Sequence, residues 1–399
     1  METLKKLRTY IESEKYLGWD PYDGLNSKLF QALPLLRKIP FLRLVMIQGF
    51  KRCPFNLRPY FCVPKEYNSK GLGLILQGYC NLYRIVENDE QQSQIWGSLE
   101  ELSEHIRFVA ELLISLKQEG YSGACWGYNF DWQARLLFFF PKQTPTVVAT
   151  SFCATALFEA YEILKEERWL EIALSSGDFI LNDLHRTTCG ERFIFSYSPL
   201  KGNDTVFNAS LLGARVLSYC FKYTKDNRYA DAARGAIVAC CEKQAEDGSW
   251  AYGMHPVQSW VDSFHTGYNL DSLQSYQDLV GDLSFRLNIE KGLSYYVRTF
   301  FDHEGVPNYY SDKRFPIDIH CPGQLFTTLV RTHKLKENAA LAQKVYSWCI
   351  NNMQSEEGFF YYQIKKRWSS KISYMRWSNA FMFMSLSYYL LERKGWRNE

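Results

Sequence analysis

Helical segments of two kinds alternate through most of this chain, and that alternation restricts the fold more than any other feature. Thr150 to Leu164, Asn208 to Phe221 and Ser378 to Leu391 are apolar nearly all round, the pattern of helices enclosed by other helices. Trp169 to Leu184, Tyr229 to Gln244 and Asn338 to Gln354 place apolar residues at helical spacing with charges between them. Each of these has one face for a core and one for water. Glycines punctuate the second kind at Gly120, Gly190, Gly248, Gly305 and Gly358, a spacing of roughly 50 to 70 residues that fits one helical hairpin and its loop per repeat. Glycine tolerates the left-handed conformation that ends a helix. The next apolar helix then opens on start signals such as Asn203-Asp204, Asp262 or Pro322, which cap or pre-form a first turn.

An inner and an outer helix per repeat predict an all-α (α/α)6 toroid. Five hairpins follow residue 70, and the segments Leu4 to Tyr16 and Leu25 to Phe50 supply a sixth. Residues 1–399 are read as one toroid domain, with 1–69 a less regular N-terminal hairpin. Closure is preferred to an open solenoid because no end repeat carries the polar cap that a solenoid needs. Strand-like alternation is almost absent.

In such a ring the loops that precede the inner helices emerge at one rim. They are rich in aromatic and charged residues: Gly120 to Trp132, Phe193 to Asp204, Gly248 to His265, Tyr309 to His320 and Tyr361 to Trp377. The chain has 27 Tyr and 11 Trp, more than a core needs, and both side chains prefer one polar end near water or a partner. A formal charge of +3 is too small to imply a nucleic-acid binder, which would call for a concentrated basic stripe.

The eleven cysteines are scattered and form no CxxC pair, as expected of small buried side chains in a reducing cytoplasm. Cys125 and Cys321 stand out because they lie in rim loops. The charged N-terminus is unlike a secretory signal, and no uncharged apolar stretch of about 18 residues suggests a membrane span. Leu33 to Arg52 interleaves Arg37, Lys38, Arg43, Lys51 and Arg52 with apolar residues, as an interfacial helix does. Pro40 interrupts it, and a core helix with a basic outer edge is the preferred reading. A cytoplasmic protein with peripheral membrane or synthesis-complex association is therefore the expectation.

Asp262, His265, Tyr268 and Asp271 follow one another at intervals of three, so successive pairs share a helix face. Asp262 can orient His265, and histidine so placed suits acid or base work near neutral pH. His320, with Asp318 two residues before it, opens another helix, whose N-terminus favours neutral imidazole. The spacing of His265 and His320 matches no short zinc motif, so neither a metal nor a cofactor is expected. Trp126, Tyr128 and Trp132 flank Asp131 and Arg135, an aromatic and polar mixture suited to sugar rings and their hydroxyls. Asp204, Trp250, Trp260 and Trp377 extend the candidate sugar surface. Arg376 can grip a uronate carboxylate bidentately, whereas Lys365 and Lys366 are taken as a solvated face.

The phrases Gly18-Trp19-Asp20-Pro21-Tyr22-Asp23-Gly24-Leu25, Trp126-Gly127-Tyr128-Asn129-Phe130-Asp131-Trp132-Gln133-Ala134-Arg135 and Phe264-His265-Thr266-Gly267-Tyr268-Asn269-Leu270-Asp271-Ser272-Leu273 resemble the VpsJ-like polysaccharide-biosynthesis family. Asp318-Ile319-His320-Cys321-Pro322-Gly323-Gln324 and Met375-Arg376-Trp377-Ser378-Asn379-Ala380 fit the same pattern. The resemblance spans nearly the whole chain and implies a six-hairpin toroid with a role near surface glycans, but supplies no reaction. Gln244 to Trp250 and Gln354 to Phe360 look like the Gln-to-Trp repeats of terpenoid cyclases. The Asp-rich motifs of those enzymes are missing, so the repeats are read as closures of outer helices.

An enzyme that processes an acidic oligo- or polysaccharide is the leading expectation. Hydrolysis would draw two carboxylates from Asp131, Asp204, Asp262 and Asp318. Elimination or epimerisation would use His265 or His320 with Tyr268. A noncatalytic glycan-binding or scaffolding subunit is the alternative.

Overall fold

The computed structural model describes residues 1–134 and 138–395. In chain order its helices begin with α1 (Glu2–Ser13), α2 (Lys28–Gln31), α3 (Pro40–Arg52), α4 (Ser69–Asn88), α5 (Ser93–Trp96), α6 (Leu99–Ser115), α7 (Val147–Leu164) and α8 (Glu167–Asn182). There follow α9 (Phe207–Thr224), α10 (Asn227–Cys241), α11 (Ser263–Val280), α12 (Arg286–Phe300), α13 (His320–Arg331), α14 (Ala339–Met353) and α15 (Phe381–Gly395). A π-helical turn, Met375–Ala380, leads into α15.

The (α/α)6 toroid is present. Helices α4, α7, α9, α11, α13 and α15 form the inner ring, each packed on the next, with α15 closing back on α4. Their apolar character fits that position: every side chain of α7 from Val147 to Ala160 is buried. This helix is long and apolar enough to cross a membrane, yet lies inside the ring. Side-chain caps start three of the inner helices at the rim, with Asn68 accepting from Gly71, Thr146 from Ala149 and Asp262 from His265. Each cap satisfies an amide that the first turn leaves without an intrahelical partner.

The sixth outer helix is α1, not a partner of the segment 25–50. The Gln-to-Trp-like repeats show how it is installed. Gln244 Nε2 donates to the Gly248 carbonyl and to that of Asn288 in α12, the next outer helix. Gln354 Nε2 donates to the Gly358 carbonyl and to that of Thr3 in α1. Both glycines have positive φ, +95° and +100°, and a Cβ on either would stand 2.4 or 2.5 Å from a carbonyl oxygen of the neighbouring helix. The chain's first helix thus occupies the place that a following repeat would fill.

Two further expectations need correction. Pro40 begins α3 rather than interrupting a longer helix, and only Ile47 and Phe50 of that helix are buried, so Leu33 to Arg52 is not a core helix. Among the described residues there are also seven short strands: β1 (Trp132–Ala134), β2 (Phe138–Phe140), β3 (Arg186–Cys189), β4 (Arg192–Phe195), β5 (Ile317–Asp318), β6 (Tyr361–Ile364) and β7 (Ser369–Ser373). They pair as antiparallel β1–β2 and β3–β4 hairpins and a three-stranded β5–β6–β7 sheet. Strands so short leave too little alternation to be read in sequence.

Candidate functional site

The rim loops and the first turns of the inner helices enclose a cavity of about 760 Å³. Its floor comes from inner-helix starts, including Lys70 of α4, Val148 of α7, Asn208 of α9 and His265 of α11. Its sides are aromatic, among them Tyr128, Trp132, Tyr197, Tyr252, Trp260 and Trp377. One side is covered by α3 through Leu44, Gln48, Lys51 and Arg52. Among the described residues no Asp or Glu lines this cavity, whereas Lys51, Arg52, Lys70, Lys365 and Arg376 do. Inner-helix N-termini add positive potential at the floor, so the cavity is electrostatically suited to an anion.

His265 lies one turn inside α11, and Asp262 is the cap of that helix. Asp262 Oδ1 accepts the His265 backbone N–H at 3.0 Å, while Oδ2 lies 2.7 Å from His265 Nδ1 and accepts Trp260 Nε1 at 3.0 Å. A carboxylate only accepts, so Nδ1 carries the proton and Nε2 is left with its lone pair for the cavity. The Asp262 side chain is buried and that of His265 is 20% exposed. Asp262 therefore orients the imidazole, fixes its tautomer and stabilises the cation formed when Nε2 takes a proton. Tyr252 abuts the ring edge-on at 4.7 Å.

One turn further along α11, Tyr268 meets a second histidine. Its hydroxyl lies 2.6 Å from His320 Nε2, and Lys70 Nζ donates to it at 3.1 Å. His320 Nδ1 is 3.2 Å from the Trp377 carbonyl, which requires Nδ1–H there and makes Nε2 the acceptor of the tyrosine proton. Burial, then the Lys70 charge, holds His320 well below its usual range. The neutrality expected from a helix start thus has a stronger cause. Burial, followed by the charge of Arg376, likewise holds Lys70 well below the ordinary lysine value. Burial raises the Tyr268 phenol. His320 does not itself line the cavity; it bonds Tyr268, whose ring centroid is 5.9 Å from that of His265.

Arg376 is at the cavity wall but its fork is already engaged. Nε and Nη2 donate to the two oxygens of Asp20 at 2.6 and 2.8 Å, and Tyr128 and Trp377 lie beside the guanidinium at 5.1 and 5.2 Å. The bidentate grip expected for a uronate is spent on Asp20, so Arg376 shapes the wall and its potential instead. Lys51, Arg52 and Lys365 provide the remaining cations. Burial, then the nearby Arg52 and Lys51 charges, lowers Lys365, which corrects its reading as part of a solvated face.

Other sequence candidates fall outside the cavity. Trp126 and Trp250 are core side chains whose Nε1 groups donate to the carbonyls of Leu113 and Cys240. Asp131 accepts the backbone N–H of Lys142 and Asp204 accepts the Thr187 hydroxyl. Asp271 is buried within the helical bundle, held by Gln324 and Thr328. Asp318 sits beneath the wall, accepting from Trp377 Nε1 at 2.8 Å and from Gln363; burial raises both of these carboxyls. Asp318 is thus a support for Trp377 rather than a group facing substrate. Arg135 lies outside the described residues. Cys125 and Cys321 are buried, with burial pushing the former up to about 12 and the latter well above the ordinary thiol value, so neither is an activated thiolate.

Lys70, Tyr197, Tyr252, Lys51 and Asp20 were missed as site residues. Lys70 had a readable signal, a lone cation at the head of an otherwise apolar helix in Ser69-Lys70-Gly71-Leu72. Asp20 had none, because its partner is 356 positions away.

No protein-family model and no curated protein matches the chain. Solved structures do. A cellobiose 2-epimerase from Bacillus thermoamylovorans superposes with a TM-score of 0.64 at 11% identity, covering 83% of this chain and 90% of its own. A family 76 glycoside hydrolase (mannosidase) from Bacteroides thetaiotaomicron gives 0.63 at 10% identity and covers 99% and 100%. An unsaturated glucuronyl hydrolase specific for heparin gives 0.55 at 11% identity and covers 80% and 86%. At these identities the likeness establishes the toroid fold.

Proposed function

We propose that this protein is a carbohydrate-active enzyme that removes a carbon-bound proton from an acidic sugar within an oligo- or polysaccharide. The observation that carries the reading is the oriented Asp262–His265 pair on a cation-rich cavity without a lining carboxylate. Hydrolysis by two carboxylates needs both acids flanking the scissile bond, and Asp131, Asp204, Asp262 and Asp318 do not line the wall. Proton abstraction beside a carboxylate or carbonyl needs a base and positive charge to hold the developing enolate. His265 Nε2 supplies the base. Lys51, Arg52, Lys365 and Arg376 supply the potential, and Lys70 supplies a hydrogen bond to Tyr268.

Tyr268 is the acid that completes the step. The C–H bond breaks as Nε2 takes the proton, and the Tyr268 hydroxyl turns its proton from His320 Nε2 to the leaving oxygen, with Lys70 Nζ–H left to hold the phenolate. Both groups rise from one face of α11, so base and acid approach the substrate from the same side, an arrangement suited to elimination. The aromatic walls favour sugar rings. That the neighbouring toroids are named as sugar epimerases and glycoside hydrolases supports a glycan substrate. The resemblance to the VpsJ-like family supports a place in surface-polysaccharide assembly.

The test is turnover of uronate-containing oligosaccharides followed by mass spectrometry and by exchange of the C5 proton with solvent. An unsaturated or epimerised product that disappears with His265→Ala is expected. Unchanged turnover in that variant would defeat the assignment. Binding that survives His265→Ala with no turnover by either protein would make the chain a glycan-binding subunit.

A further inference from the structure

The segment that covers one side of the cavity has a surface unlike the rest of the molecule. From Gly24 to Lys65 there are eight Lys or Arg and no Asp or Glu. The whole chain is only +3, so the remainder carries a net −5. Residues 32–40 are nine consecutive exposed positions, including Leu33, Leu35, Leu36 and Ile39. Leu35 is 79% exposed and Phe41 62%. Arg37, Lys38 and Arg52 are exposed among them.

This surface belongs to a segment fixed on the toroid. Arg58, fully buried, donates to Asp23 at 2.7 Å and to the Tyr374 hydroxyl at 2.9 Å. Arg43 Nη2 holds Gln133 Oε1 at 2.8 Å, and Trp19 Nε1 donates to the Val63 carbonyl at 2.9 Å. A large exposed apolar patch normally marks an interaction surface.

We propose that residues 28–52 dock the protein on an anionic membrane surface, with the cavity mouth held beside the lipid headgroups. The charge chooses the occupant. Long apolar side chains interleaved with Lys and Arg, and no acid among them, match an interface of acyl chains beneath anionic headgroups. The stems of Arg37 and Lys38 can lie along the apolar surface while their charges reach phosphate. Helix α3 also lines the cavity through Leu44, Gln48, Lys51 and Arg52, so docking this face brings the opening to the membrane. Lys366 and Arg367, both exposed in the β6–β7 turn, extend the cationic surface past Lys365. The inference concerns where the protein sits and does not depend on the reaction in the cavity.

Co-sedimentation of the full chain with vesicles of phosphatidylcholine, alone or mixed with phosphatidylglycerol, tests it. Binding to the mixed vesicles, weaker binding to the neutral ones and loss at high salt are expected. Arg37→Gln with Lys38→Gln should weaken partition about thirtyfold, from about fivefold for each basic residue at an anionic surface. Leu35→Ser with Phe41→Ser should also weaken it, and neither pair should move the urea midpoint, since all four side chains are exposed. Failure to sediment with either vesicle would overturn the proposal. So would wild-type binding by both double variants. A dimer in light scattering that Leu35→Ser with Phe41→Ser disperses, without vesicle binding, would assign the face to a second copy of the chain instead.

Discussion

Replacing Gly358 by Ala tests the closure of the ring by its N-terminal helix. Gly358 has φ +100°, and a Cβ there would lie 2.5 Å from the Lys6 carbonyl oxygen and 2.6 Å from its carbon. Gly120 is the internal reference, with φ +87° and nothing within 4 Å of the same built atom. Both substitutions force a side chain into the left-handed region, at about 1–2 kcal/mol. Only Gly358→Ala must also push backbone apart, which adds about 1–3 kcal/mol. Urea unfolding followed by circular dichroism should therefore show a loss of about 1–2 kcal/mol for Gly120→Ala and about 2–5 kcal/mol for Gly358→Ala. Equal losses would mean that the α14 turn does not press on α1, and the ring-closing role of α1 would fall.

Asp262→Asn should lower kcat at least about a hundredfold with little change in KM, because the group removed orients the base and does not line the cavity; steady-state kinetics on an active substrate decides this. His320 should make stability pH-dependent. The unfolded chain takes up a proton below the ordinary value of 6.5 and the fold resists it, so this contribution is complete above 6.5 and declines as pH falls below it. Between pH 7.5 and 5.5 the loss from this group approaches about 1.4 kcal/mol, and His320→Gln should remove that part of the slope in urea titrations; an unchanged slope would contradict a buried neutral histidine. Asp20→Asn strands the buried Arg376 cation and should destabilise by about 3–5 kcal/mol, measured the same way. A loss under about 1 kcal/mol would show that the pair is open to water.

The inner and outer helices were legible because one kind is apolar nearly all round, as in Val147–Leu164, and the other carries a periodic signal over several turns, as in Asn227–Cys241. The origin of the sixth outer helix was not. Its installation rests on Gln354 reaching Thr3, a contact between the two ends of the chain that no local pattern encodes. The short rim strands were invisible for a similar reason, since β5 has only two residues. At the site, the spacing of Asp262, His265 and Tyr268 revealed three residues that do share a helix face, because periodicity within one helix is local information. Trp126 and Trp250 misled because a loop tryptophan that closes an outer helix looks like one that faces a sugar. Their indole N–H groups prove to be satisfied by carbonyls of the preceding outer helices. Arg376 was found at the wall, but its partner Asp20 lies at the other end of the sequence.

If His265 moves a carbon-bound proton, solvent exchange reads that event whatever product the enzyme releases. The protein would be incubated with uronate-containing oligosaccharides in deuterium oxide, and mass spectrometry with proton NMR would follow the sugar carbons. Wild-type protein should give an unsaturated product, or deuterium at the carbon beside the carboxylate, and His265→Ala should give neither. Oligosaccharide that binds wild-type protein yet keeps every carbon-bound proton and every glycosidic bond would contradict proton transfer by His265.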